Sequence, residues 1–242
     1  MRFILVNIIL AAFFLRQTRM NDFPFFGDEL QNGDIALEIL NGHIAPFYAQ
    51  GFGREALYDY SMALMVAVLG DNVWANRWPS VMWSIVLVPM MYVYAVRLFS
   101  SKRLGVIAAA IAAGLWWTSV FAHSGLRVVT MPVIMLPALW SLAEIGRKTQ
   151  RQRQGHKAII GGFFAGLTAY TYISGRGFPV IVVLFIGYLI LSNRRHIHHN
   201  WRAYAIYLVV MAVTSMALYL SIPAATIRCP PGDCTARPQS FV

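Results

Sequence analysis

The chain has 242 residues, a formal net charge of +10, 58% hydrophobic and only 12% charged side chains, with a mean hydropathy of +0.56. Soluble domains carry about 25% charged residues, so an ordinary soluble domain is excluded. The basic residues lie in short clusters between apolar runs, which sets a nucleic-acid surface aside and fits the way membrane proteins fix their orientation.

A membrane-crossing helix needs about 20 mostly apolar residues. Residues 3–15 (FILVNIILAAFFL) are short for that and read either as a retained first helix or as the core of a signal peptide behind Arg2. Arg16 and Arg19 follow in place of a small-residue cleavage site, so a retained helix is preferred. A polar, aromatic segment then runs from residue 17 to 77. Within it residues 56–69 (ALYDYSMALMVAVL) are apolar but short, and Tyr58 and Tyr60 suit a helix lying in the interface better than a span. Clearer spans follow at 79–98, 104–121, 131–145, 158–173, 178–191 and 204–222. With the first helix they make about seven, so the expected fold is all-α: a polytopic transmembrane bundle whose long first exoplasmic loop carries interfacial helices. Pro89, Pro137, Gly161, Gly162 and Gly166 are tolerated in such helices, and the small residues of IAAAIAAG and GGFFAG permit close packing.

Charge sets the orientation. A cytoplasmic N-terminus puts Arg2, Arg97, Lys102, Arg103, Arg147, Lys148, Arg151, Arg153, Lys157, Arg194, Arg195 and Arg202 inside, twelve of the twenty basic residues. All acids except Glu144 fall on the other side. The expectation is a multi-pass protein of a bacterial plasma membrane, with one transmembrane domain over 1–223. The remainder, 224–242, is an irregular exoplasmic tail (IRCPPGDCTARPQSFV), read as a truncation or frame-shift artefact or as a genuine disordered end, with truncation preferred. Cys229 and Cys234 are too few for a disulfide framework; they either close a small loop or stay as thiols. No Walker A, GxGxxG or HExxH motif occurs. The His-rich NRRHIHHNWR reads as a basic loop near lipid head groups before it reads as a metal site.

Candidate chemistry therefore rests on carboxylates and arginines at the membrane surface. FPFFGDELQNGDIALEIL (23–40) holds Asp28, Glu29, Asp34 and Glu38, four of the ten carboxylates. Adjacent carboxylates repel, so one is held by a cation or has a raised pKa. Asp28 and Glu29 are either loop acids at a helix start or a general base with its neighbour. Arg54, Arg77, Arg127 and Arg176 come from different exoplasmic connections, and the last two sit in short turns, HSGLRVVT and YISGRGFP. Arginine pairs bidentately with phosphate, and a lipid phosphate presents its charge at that depth; anchoring to head groups is the alternative. Asp59 complements Arg54 or Arg77, His123 ends a helix beside Ser124 as an interfacial hydrogen-bonded histidine or a cavity group, and Tyr172 either lines a sugar site or anchors the interface.

The succession FFGDE, GHIAPFYAQGFGREALYDYSMALMVAVLG, NVWANRWPSV and HSGLRVV resembles the N-terminal half of family 39 glycosyltransferases, the dolichyl-phosphate-mannose–protein mannosyltransferase-like group of C-type membrane enzymes, over about residues 1–220. The resemblance implies sugar transfer from a polyprenyl-phosphate donor to an unknown exoplasmic acceptor. It implies Asp28 as the base, Glu29 as the neighbour that orients it, and Arg127 with Arg176 on the donor phosphate; Arg54, Asp59, Arg77, His123 and Tyr172 are secondary candidates. It implies no nucleotide site and no nucleic-acid partner; a divalent metal is conceivable but nothing in the sequence indicates one. The competing class is a non-catalytic membrane scaffold or transporter-like protein, and the near absence of ionisable residues within the spans counts against transport.

Overall fold

A computed structural model describes residues 2–18, 20, 22, 24, 27–50, 53–145, 151–192 and 194–228. Both cysteines, Arg19, the phenylalanines 23, 25 and 26, and the side chains of residues 193–199 in the His-rich stretch fall outside the described residues. The chain runs through α1 (Arg2–Gln17), α2 (Gly27–Leu40), the short strands β1 (Phe47–Tyr48) and β2 (Arg54–Glu55), and α3 (Leu57–Leu69). It continues through α4 (Val73–Phe99), α5 (Lys102–Gly114), α6 (Trp116–His123), α7 (Thr130–Ile145), α8 (Arg151–Leu167), α9 (Phe178–Ser192) and α10 (Arg194–Arg228).

Each of the seven expected segments is at least partly α-helical, and α2 and α3 lie between α1 and α4. Among the described residues, four stretches are long and apolar enough to cross a membrane: Val73–Phe99, Arg127–Ile145, Ile173–Ser192 and Asn200–Pro223. The expected span 104–121 is a helix pair, α5 and α6, bent by 45°. Leu115 breaks it with an extended backbone. A break inside a bilayer frees carbonyls that no lipid can satisfy. Arg16, fully buried, satisfies them: its Nη1 donates to the Ala113 carbonyl and its Nη2 to that of Ala112, both at 3.0 Å, while Nη2 also reaches the Thr118 hydroxyl at 3.1 Å. The helix expected at 158–173 ends at Leu167 and gives way to 3₁₀ turns at Thr168–Tyr170 and Ile173–Gly177.

Local signals explain the other ends. Asn72 caps α4 by accepting from the Ala75 N–H at 2.9 Å, and Ser101 caps α5 from Leu104 at 3.4 Å. The stripe Gly161, Gly162, Gly166 on α8 lets two neighbours approach. A Cβ at Gly166 would stand 2.7 Å from the Met211 carbonyl of α10, and one at Gly162 would strike the Tyr207 carbonyl. Ala138, Ala165, Val182, Tyr207 and Met211 form the apolar core where α7, α8, α9 and α10 meet. A second core joins α2, α3 and α4 through Ala36, Tyr58, Met62 and Ala75, and a third joins α1, α4 and α5 through Ala12, Val88 and Ala109. Outward residues such as Val180, Leu184, Leu191 and Val213 are exposed and apolar, as a lipid-facing surface requires.

These packings gather the C-terminal ends of α1, α6 and α8 with the N-terminal ends of α4, α7 and α9. Direct contacts prove the grouping: Arg77 at the start of α4 bonds the carbonyls of Met20 and Pro24 just after α1. Arg127 and Arg176, before α7 and α9, both reach Glu55. At the opposite end Lys157 of α8 pairs with Glu144 of α7 at 2.7 Å.

Candidate functional site: an ion-pair cluster at one end of the bundle

The site is built around β1 and β2, an antiparallel pair in register Phe47↔Glu55 and Tyr48↔Arg54. Successive strand residues point to opposite sides. Arg54 therefore faces α2, and Glu55 faces the turns that precede α7 and α9.

On the α2 side, Arg54 is buried and donates from Nη2 to Asp28 Oδ1 at 2.8 Å and from Nη1 to the Asp28 carbonyl at 3.1 Å. It also bonds the side chains of Gln31 and Asn32. Burial lowers the Arg54 pKa from its ordinary range and nearby Arg127 adds to this, while Asp28 and Asp59 oppose it. Asp28 sits in the first turn of α2, where the helix dipole favours a carboxylate. Its side chain is 53% exposed, so one edge is held by Arg54 and the other remains accessible.

Glu29, the next residue, is wholly buried. Arg77 grips it with Nε to Oε1 at 2.6 Å and Nη2 to Oε2 at 2.9 Å, both partners at 0% exposure. The turn after α6 closes over this pair. Gly125 has φ +61°, and a Cβ there would stand 3.2 Å from Glu29 Cγ, so only glycine fits both the backbone and the space. The Gly125 carbonyl accepts from the Tyr58 hydroxyl at 3.0 Å and from Asn32 Nδ2 at 3.5 Å. Burial raises the Tyr58 phenol well above its ordinary value.

On the other side, Glu55 is fully buried between two guanidinium groups, with Oε2 3.1 Å from Arg127 Nη1 and Oε1 2.5 Å from Arg176 Nη2. Each arginine also lies over an aromatic ring: Arg127 over Tyr172 at 5.3 Å and Arg176 over Phe47 at 5.2 Å. Asp59, in the first turn of α3, is buried close to Arg127, Arg54 and Glu55. Neither of its oxygens has a hydrogen-bond partner among the described residues. Burial pushes its carboxyl up to about 7 against the pull of Arg127 and Arg54, with Glu55 adding to the rise. No three of His, Cys, Asp and Glu cluster as a metal site among the described residues. An apolar cavity of about 330 Å³ adjoins the cluster, lined by Pro46, Ala56, Leu57, Tyr60, Leu167 and Tyr170 among others.

The sequence-predicted residues thus divide. Asp28, Arg54, Asp59, Arg127, Arg176 and Tyr172 belong to one charge network. Asp28 makes no direct contact with Arg127 or Arg176; the link runs through the adjacent residues Arg54 and Glu55. Glu29 and Arg77 form a separate buried pair beneath Asp28, so Asp59 complements Arg54 and Arg127 rather than Arg77. His123 joins two segments: Nδ1 lies 2.7 Å from the Ser119 carbonyl and Nε2 3.0 Å from that of Thr18, the interfacial hydrogen-bonded role. Sequence reasoning missed Glu55, the hub of the cluster. Its signal was present, since Arg54, Glu55 and Asp59 place three charges within six residues of a chain that is 12% charged.

The fold and site define a polytopic helical membrane protein with a carboxylate–arginine cluster at one end of its bundle. Residues 56–220 match the sequence pattern of the dolichyl-phosphate-mannose-protein mannosyltransferase family. The chain belongs to that family. The matched stretch covers Asp59, Arg77, Arg127 and Arg176 and begins after Asp28, Arg54 and Glu55. No curated protein matches the chain. Among solved structures it is similar to that of ArnT from Cupriavidus metallidurans bound to undecaprenyl phosphate, with a TM-score of 0.67 and 17% identity over 95% of this chain. The chain spans 42% of the length of that protein. The similarity establishes a shared fold over 95% of this chain.

Proposed function

We propose that the chain is a membrane glycosyltransferase, or the N-terminal part of one, that moves a sugar from a polyprenyl-phosphate donor to an exoplasmic acceptor. Family membership and the likeness to a protein solved with undecaprenyl phosphate support the reaction class. The observation that carries the residue assignment is the meeting, through Arg54 and Glu55, of a half-exposed carboxylate with two arginines from distant turns.

Asp28 takes the proton of the acceptor hydroxyl or amine. Its exposed edge admits the acceptor, and the bond to Arg54 orients it. Glu29, sealed by Arg77, is a positioning residue for Asp28. The acceptor atom attacks the anomeric carbon as the bond from that carbon to the phosphate oxygen breaks. The sugar inverts and polyprenyl phosphate leaves with the electron pair. Arg127 and Arg176 stabilise the charge on that leaving phosphate. The adjoining apolar cavity suits the first part of the prenyl chain. The cluster end then faces the exoplasm of a bacterial plasma membrane and the N-terminus faces the cytoplasm.

The test is made on the protein reconstituted in nanodiscs. Undecaprenyl phosphate binds the wild type, and Arg127→Ala weakens that binding more than Arg54→Ala does. A membrane scaffold or transporter predicts no saturable binding of undecaprenyl phosphate, and that result rejects the proposal.

A further inference from the structure

We propose that Glu55 is an internal stand-in for the donor phosphate: it neutralises Arg127 and Arg176 while the site is empty and yields to the lipid phosphate when it arrives. The inference rests on the phosphate-binding role given above to these two arginines and adds a residue that competes for them.

The cradle is shaped independently of Glu55. Each guanidinium stacks on its own aromatic ring, Tyr172 or Phe47, at 5.3 and 5.2 Å. The Tyr219 hydroxyl also donates to the Arg176 carbonyl at 2.9 Å and ties that turn to α10. A guanidinium held by its face keeps its donor edge aimed when the anion on that edge changes.

Glu55 fills this cradle poorly. The Glu55–Arg176 approach of 2.5 Å is close but misaligned: among the described residues neither Glu55 Oε1 nor Arg176 Nη2 has a hydrogen-bond partner, although both atoms are buried. The Nε–H groups of Arg127 and Arg176 are likewise buried without a partner among the described residues. Buried donors left unpaired are costly, and guanidinium groups are made for two parallel bonds to one anion. A planar carboxylate offers two oxygens, too few for the donors of both guanidinium groups. A phosphate offers a tetrahedral set and satisfies more of them.

Charge also permits the exchange. Glu55 contributes one negative charge, and a phosphodiester-linked donor brings one, so replacement leaves the pocket charge unchanged. The product, a phosphate monoester, brings more. Arg176 is the entry point, because its side chain is 23% exposed whereas that of Glu55 is 0% exposed.

The experiment measures undecaprenyl phosphate binding to the reconstituted chain for the wild type and for Glu55→Gln, which keeps the shape and removes the charge. The expected result is a Kd at least about tenfold lower for Glu55→Gln, since two desolvated cations lose their internal competitor. An unchanged or higher Kd overturns the inference and identifies Glu55 as a fixed strut. Saturable binding by the wild type tests the functional reading separately, and its absence in both proteins sinks that reading and this inference together. Should Glu55→Gln be poorly folded, its thermal midpoint in detergent gives a second measurement. Undecaprenyl phosphate must raise the midpoint of the variant by more than that of the wild type, and an equal or smaller rise counts against the exchange.

Discussion

The buried pair Glu29–Arg77 offers the sharpest test of how the site is held. Arg77→Met removes a cation whose partner is at 0% exposure and leaves the Glu29 carboxylate without its two bonds of 2.6 and 2.9 Å. Removing one member of a buried pair costs about 3–5 kcal/mol, because the other charge stays desolvated and uncompensated. The Met20 and Pro24 carbonyls lose their tie to Arg77 as well, so the chain entering α2 loosens and Asp28 with it. Replacing both members, Arg77→Met with Glu29→Leu, removes the stranded charge. The double variant is then less destabilised than the sum of the singles by about 1–3 kcal/mol. Detergent unfolding titrations followed by tryptophan fluorescence measure all three variants in one cycle. A cost below about 1 kcal/mol for Arg77→Met, the range of a solvated surface pair, would refute the reasoning.

Four further outcomes are expected. Asp28→Asn lowers the rate of sugar transfer by at least about 100-fold, the lower range for a lost general base, whereas Asp34→Asn in the same helix changes it little; equal effects remove Asp28 as the base. Arg127→Lys keeps the charge but loses the bidentate edge, so its Kd for undecaprenyl phosphate stays nearer to that of Arg127→Ala than to the wild type. The Asp59 carboxyl stands at about 7 in the fold against an ordinary 3.8, so the folded chain binds the extra proton and stability falls as pH rises through that window. Asp59→Asn flattens that slope: thermal midpoints of variant and wild type differ little below the ordinary value, and above pH 7 the variant is the more stable, an order reversed if the carboxylate is well solvated. Gly166→Leu separates α8 from α10, where a Cβ already stands 2.7 Å from the Met211 carbonyl, and lowers the midpoint by far more than Gly187→Leu, which meets nothing within 4 Å.

The helical membrane character was legible because it rests on local composition. Apolar runs near the bilayer length announce themselves without partners, and the Asn72 and Ser101 caps mark their starts. The break at Leu115 was not legible, since 104–121 reads as one apolar run; it persists because Arg16, about 100 residues away in sequence, satisfies the freed carbonyls. Arg127 and Arg176 were singled out from their positions in short connections, and Asp28 from its pairing with Glu29 and the family resemblance. The role of Glu55 was not legible, because it depends on β2 turning Arg54 and Glu55 to opposite faces.

What the sequence determined alone is thus the set of apolar helical segments, because hydropathy acts on each segment separately. Which carboxylate meets which arginine was decided only by the tertiary structure. Asp28, Glu29 and Glu55 are chemically similar and close in sequence, yet one is half exposed beside Arg54, one is sealed by Arg77 and one bridges Arg127 and Arg176. That division follows from helix packing: it brings the ends of α1, α4, α6, α7, α8 and α9 to one place, where burial ties each charge to a partner.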